Sequence, residues 1–232
     1  MILNCLITGV GGQGISAMSR IIRTAAFSRG LEVRGFDTIG MARLGGSWVS
    51  HVRMGQSIHS PLIARGKADV VIALEIAEAV RVYPFLSPTG RMLVLDRYII
   101  PAPGKPEKIK DDYGQMLAFL KSCQSHPSEE RLAQKGGGDW LNVINSAELI
   151  KKCGSSGVLG IALLGAAVKL NFFPITAEDI SGLLRENIAS VNPERFAGTL
   201  KEKAQDRFPP ADLCIRAFNA GLELSGNLLR GI

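Results

Sequence analysis

The feature that most constrains this chain is the string Gly9-Val10-Gly11-Gly12-Gln13-Gly14, set between an apolar run and a helical pattern. Residues 2–8 are short, apolar and ended by glycine, which reads as a buried strand. Over residues 13–28, Ile15, Met18, Ile21, Ile22 and Ala25 recur at helical spacing and share one face. Gly30 ends that helix, and residues 31–36 read as a second strand. A strand, a glycine turn, a helix and a strand form a βαβ opening, which implies a parallel sheet and a right-handed crossover.

The alternation continues. Residues 48–54 and 57–63 have strand-like character, and residues 68–74 are a strong buried-strand signal followed by a helix over 75–83. Pro84 and the turn Ser87-Pro88-Thr89-Gly90 precede another strand at 91–95. This is the pattern of an α/β chain with a Rossmann-like, doubly wound, mostly parallel sheet. Residues 101–139 change in character, opening on three prolines and closing on Gly136-Gly137-Gly138. The expectation there is a mobile insertion, placed at 104–139, with an amphipathic helix over 113–123. Residues 140–145 read as a returning strand, with Ser146 capping a helix to Cys153. From about residue 156 the chain reads as helical. The run 156–171 is apolar on nearly every side, Thr176 and Asp179 are spaced as in a capping box, and further helices are expected over 193–204 and 212–224. The whole of 1–232 is read as a single domain.

Composition narrows the function. Hydrophobic residues make up 46% and charged residues 21%, an ordinary globular balance, with a formal charge of +6. The 27 basic residues are dispersed and lack interleaved aromatics, so no nucleic acid is expected as partner; an anionic small ligand or an acidic protein suits the surplus better. Cys5, Cys123, Cys153 and Cys214 lie far apart with no nearby histidine, so this chain alone is expected to hold no metal or iron–sulfur cluster. No stretch reaches the ~20 apolar residues of a membrane span, and no basic leader precedes the first apolar run. A cytoplasmic protein with reduced thiols is expected.

Two clusters carry the chemistry. In the first, glycine permits a tight turn and close ligand approach, and the N–H groups opening the helix can hold a phosphate. Asp37, near the end of the second strand, is placed to take a ribose hydroxyl, as in NAD(P)- or FAD-binding Rossmann proteins. The glycines can equally serve close helix–strand packing, so both readings stay open. The second cluster runs Gly40-Met41-Ala42-Arg43-Leu44-Gly45-Gly46-Ser47-Trp48-Val49-Ser50-His51-Val52-Arg53. Arg43, Ser47, His51 and Arg53 are candidates to line an anionic site beside the first loop, or to be surface and subunit contacts. Strand alternation puts Val49, His51 and Arg53 on one face and Trp48, Ser50 and Val52 on the other. Glu75 follows a buried strand, where ligand-binding and helix-capping roles compete. No nucleophile elbow, phosphate-binding Walker loop or zinc-protease motif occurs.

Taken together, Leu6-Ile7-Thr8-Gly9-Val10-Gly11-Gly12-Gln13-Gly14, the 40–47 segment, Ser50-His51-Val52-Arg53 and Ala73-Leu74-Glu75 resemble the gamma-type domain of 2-oxoacid:ferredoxin oxidoreductases, most of all its indolepyruvate branch. The likeness covers residues 1–100 and resumes at 158–165 and 216–221. It implies a small subunit, inactive alone, of an enzyme that decarboxylates indolepyruvate or another aryl pyruvate oxidatively to an acyl-CoA. It also implies a larger partner subunit holding thiamine diphosphate and iron–sulfur clusters, with ferredoxin as electron acceptor and coenzyme A as co-substrate. Gly9, Gly11, Gly12, Gln13, Gly14, Arg43, Gly45, Gly46 and Ser47 are the residues expected to contact the coenzyme, and none is expected to be catalytic. That family places Arg directly before the Gly-Gly pair, where this chain has Leu44 with Arg43 one residue earlier.

Overall fold

The computed structural model describes residues 2–40, 46–99, 106–125, 140–186 and 209–228. Strand β1 (Leu3–Val10) leads through the glycine loop into α1 (Ile15–Ser28), then β2 (Glu32–Ile39), β3 (Ser47–Gly55) and β4 (Ala68–Ala73). There follow α2 (Ile76–Val82), β5 (Leu86–Leu95), α3 (Pro106–Ser125), β6 (Leu141–Ile144) and α4 (Ser146–Cys153). Three further helices complete the described chain: α5 (Leu159–Lys169), α6 (Ala177–Arg185) and α7 (Ala211–Leu228). The expected α/β class, mostly parallel sheet and helical C-terminal part are observed.

The six strands run in the order β2-β3-β1-β4-β5-β6. β1, β4, β5 and β6 pair in parallel, whereas β3 is antiparallel to both β1 and β2. The opening βαβ unit is therefore split: β2 points the same way as β1, and β3 fills the gap between them. No strand forms over 57–63. Ser57 has a positive φ of 59°, and Pro61 lacks a donor for a ladder. Side chains of β3 satisfy this backbone instead, with Ile63 N–H donating to His51 Nδ1 at 3.1 Å and Arg53 donating to Ser60 O at 2.7 Å.

Period-two alternation sorts the core onto two faces. Cys5 and Ile7 of β1 and Val70 and Ile72 of β4 face α1 and the C-terminal helices. Leu6, Val71 and Ala73 face the layer made by α2 and α3. Central parallel strands buried on both sides read as continuous apolar runs, which is why the sequence signal at 68–74 was so strong. Helix α3 is longer than the expected 113–123 and connects β5 to β6, with Leu120 fully buried against the sheet.

Helix α4 is capped by Asn145, whose side chain accepts from Glu148 N–H at 2.8 Å. Ser146, expected as the cap, is the first helical residue, and its N–H donates to Asp96 Oδ1. The capping box at Thr176 and Asp179 is present as expected. Every residue of α5 from Leu159 to Val168 is buried. It crosses α7 where Gly165 and Gly221 leave room for backbone: a Cβ on Gly221 would overlap Ala162 O, and one on Gly165 would overlap Phe218 O. The helix expected over 193–204 lies outside the described residues.

Candidate functional site

The carboxyl ends of β1, β4 and β5 open into a cleft of about 260 Å³. Open α/β sheets bind ligands at this edge. One wall is Val10 to Gln13, the opposite wall Arg97 and Ile99, the floor Leu74 and Leu95, and the third side Ser156, Gly157 and Leu159.

The glycine loop is built for this wall. Gly12 has φ 100° and Gly14 φ 79°, conformations an L side chain resists, and Gly14 occupies the N-cap position of α1. Gly9 serves packing: a Cβ there would overlap Gln13 Oε1 and crowd Leu74 Cβ at 3.2 Å. Gln13 folds back, its Oε1 accepting from Val10 N–H at 2.8 Å. That bond assigns the amide orientation, because only oxygen can accept there. Gln13 Nε2 is then a donor, and it is buried without a partner. A buried donor left unpaired costs about 1–3 kcal/mol, so the geometry favours an acceptor in the cleft. Gly11 lines the cleft, but its N–H donates to Gly46 O at 2.8 Å. The lining residues that bring further donors are Gly12, Gln13, Arg97 and Ser156. No carboxylate, histidine or thiol lines the cleft among the described residues.

The second sequence cluster divides. Gly46 and Ser47 sit beside the glycine loop, Ser47 pairing in register with Val10. The alternation holds, with Val49 in the α2 layer and Trp48 and Val52 in the α1 layer. His51 and Arg53 do not join the cleft. Arg53 is paired with Asn4 at the opposite end of β1 and donates to Asn4 Oδ1 at 2.8 Å. His51 is buried, accepts from Ile63 N–H and meets the Phe85 ring edge-on; burial holds its imidazole below the usual range. Arg43 and Gly45 lie outside the described residues.

Asp37 does not meet the glycine loop either. It lies on the edge strand, accepting from Ser50 Oγ, with β3 between it and β1. Two strand spacings of roughly 4.8 Å separate it from β1, so the ribose contact of a dinucleotide fold is not formed.

Three contributors were not singled out in the sequence. Glu78, buried on α2, accepts from Ser47 Oγ at 2.6 Å, Thr8 Oγ1 at 3.4 Å and Arg81 Nε at 3.2 Å. Arg97 and Ser156 come from distant connections. The only local signal was at Glu78: an acid on the face of α2 that also carries Ile76, Ala79 and Val82. Glu75 stands at the N-cap position of α2 but does not cap it; its Oε1 accepts from Ile99 N–H. Among the described residues no group of His, Cys, Asp and Glu is arranged to hold a metal ion, and no single helix is long and apolar enough to cross a membrane.

Fold and cleft together define an α/β domain whose cleft carries donors on its walls and no reacting group among the described residues. The chain belongs to the pyruvate ferredoxin/flavodoxin oxidoreductase family, which it matches over residues 4–224. It is similar to indolepyruvate oxidoreductase subunit IorB of Archaeoglobus fulgidus, 32% identical over 82% of this chain and 88% of that one. The subunit of the same name from Thermococcus kodakarensis is 26% identical over 97% of both chains. Among solved structures, pyruvate oxidoreductase subunit PORC of Thermotoga maritima shares the fold with a TM-score of 0.56 at 19% identity, covering 96% of both chains. The 2-oxoglutarate:ferredoxin oxidoreductase of Magnetococcus marinus, solved with 2-oxoglutarate, coenzyme A and succinyl-CoA bound, shares it with a TM-score of 0.59 at 19% identity. This chain corresponds to 31% of that longer one and is itself covered over 97% of its length. These relationships fit an oxidoreductase subunit and not the Rossmann dinucleotide alternative.

Proposed function

We propose that this chain is the small subunit of a cytoplasmic 2-oxoacid:ferredoxin oxidoreductase acting on indolepyruvate or another aryl pyruvate, and that its cleft receives the diphosphate end of coenzyme A. The observation that carries the reading is the cleft itself: four donor-bearing residues, no carboxylate among the described residues that line it, and a volume of about 260 Å³. Complete small-molecule pockets run from about 300 Å³ upward, so this cleft suits one end of a coenzyme, the rest lying against a partner.

The residues fit a diphosphate. Arg97 supplies a fixed positive charge, Gly12 N–H and Gln13 Nε2 supply donors from the glycine wall, and Ser156 Oγ donates from the third side. Thiamine diphosphate on the larger subunit would supply the electron sink for decarboxylation, and iron–sulfur clusters there would supply the route for electrons to ferredoxin. The part played by this chain is to orient coenzyme A and exclude water, which converts an encounter into a positioned reaction. The Leu74 and Leu95 floor keeps the site's base apolar.

Capture of this chain from its native lysate, followed by assay of coenzyme A-dependent dye reduction across a panel of 2-oxoacids, tests the reading. The expected result is activity accompanied by a larger iron–sulfur chain, with an aryl pyruvate preferred. A chain that emerges alone and inert from a lysate containing such activity overturns it.

A further inference from the structure

Two carboxylates are buried in the first turn of α2, and neither lines the cleft. Glu75 is 1% and Glu78 3% exposed. A buried carboxylate is tolerated when its acceptors are used, and these are used on opposite walls of the cleft. Glu78 Oε2 holds Ser47 Oγ at 2.6 Å, and the preceding Gly46 carbonyl holds Gly11 N–H at 2.8 Å. Glu78 thereby anchors the glycine wall. Glu75 Oε1 accepts from Ile99 N–H, and the adjacent Ile76 N–H donates to Arg97 O at 2.8 Å. The same turn thereby anchors the opposite wall.

We propose that Glu75 and Glu78 are positioning residues that set the spacing of the two walls from one helical turn, and that an anion enters the cleft together with a proton taken up by Glu75. The inference rests on the cleft being an anion site, not on which oxoacid is oxidised. Burial pushes the Glu75 carboxyl up to about 7, and the Glu78 charge adds to this, while the Ile99 N–H, Arg97 and Arg81 oppose it. Those are the charged groups acting on Glu75 among the described residues. Arg97 is shared: it lines the cleft and also compensates a Glu75 carboxylate. An arriving anion draws on the same guanidinium and adds negative charge nearby. Both effects favour neutral Glu75, so binding and protonation reinforce each other by linkage.

The test is calorimetric titration of the intact complex of this chain with its larger subunit, in two buffers of different ionisation enthalpy. Coenzyme A is one probe and inorganic pyrophosphate the other. Near pH 7.5, uptake of a fraction of a proton is expected, and affinity falls by up to about fivefold between about pH 7 and 8. Glu75→Gln keeps an acceptor for Ile99 N–H and removes the titration, so binding persists while proton uptake and pH dependence disappear. Glu78→Gln retains an acceptor for Ser47 Oγ and keeps proton uptake, whereas Glu78→Ala speeds amide exchange at residues 10–13. Absence of uptake in the wild type, or uptake surviving in Glu75→Gln, overturns the proposal. Pyrophosphate binding with proton uptake but no coenzyme A binding leaves it standing and removes the coenzyme A assignment. If neither probe binds, both fall.

Discussion

Glycine does opposite work in two parts of this molecule. In the loop from Gly9 to Gly14, Gly12 and Gly14 take positive φ, and a Cβ on Gly14 would meet nothing within 4 Å. There the residue is needed for its conformation, which turns the chain sharply and directs donors outward. Where α5 crosses α7, Gly165 and Gly221 are helical and their Cβ positions fall on neighbouring backbone. There the residue is needed for its missing volume. A ligand-facing glycine and a core glycine look alike in sequence, yet their substitutions should fail in different assays.

The largest effect belongs to the helix crossing. Gly221→Ala forces α5 and α7 apart and is expected to cost about 3 kcal/mol or more, because backbone cannot yield as a side-chain tip can. Thermal unfolding should fall by roughly 6–12 °C for a domain of this size. An unchanged midpoint breaks the comparison at its strongest point.

Gly14→Ala comes next, with an αL penalty of about 1–2 kcal/mol. Calorimetric titration of the complex should show a tenfold or greater loss of coenzyme A affinity, out of proportion to the modest fall in melting temperature. A variant that loses stability but not affinity would assign the loop glycines to packing alone.

Smaller still, Thr176→Ala removes one half of the capping box and should cost about 1 kcal/mol in denaturant unfolding with no change in ligand binding. Apart from these losses at a single pH stands a slope with pH. Glu75 titrates near 4.5 when unfolded and at about 7 when folded. Over that window the folded chain holds a proton the unfolded chain has released, so stability declines as pH rises and the penalty is complete above about 7. Glu75→Gln should remove this slope when denaturation midpoints are compared at pH about 5 and 8.

The parts of the fold visible in the sequence were those governed locally. Apolar runs marked β1 and β4, helical spacing marked α1, and Thr176 with Asp179 marked the start of α6. The split of the βαβ opening was not legible, because which strands pair is decided by long-range contacts that alternation within 48–54 does not encode. The 57–63 run misled for a related reason: its apolar residues pack onto β3 through irregular backbone tied to His51 and Arg53. At the site, the glycine wall was readable as a string. Arg97 and Ser156 were not, since only the parallel sheet brings the ends of β1, β4 and β5 to one edge. Asp37 fitted a dinucleotide fingerprint by position, and β3 moved it out of reach.

The inserted strand also bears on how the protein is made. β1 is synthesised before both of its neighbours: Cys5 pairs with Val52 on one side and Val70 on the other. At about 5–20 residues per second, the second partner leaves the ribosome roughly 3–13 s after β1. The β2–β3 pair forms from close neighbours in sequence, whereas seating β1 between β3 and β4 closes long loops and is slow. Until then Leu6 and Ile7, fully buried in the finished sheet, stand open to other chains. The nascent protein is therefore most exposed to aggregation, and most dependent on chaperones, at the strand that ends as the centre of its sheet.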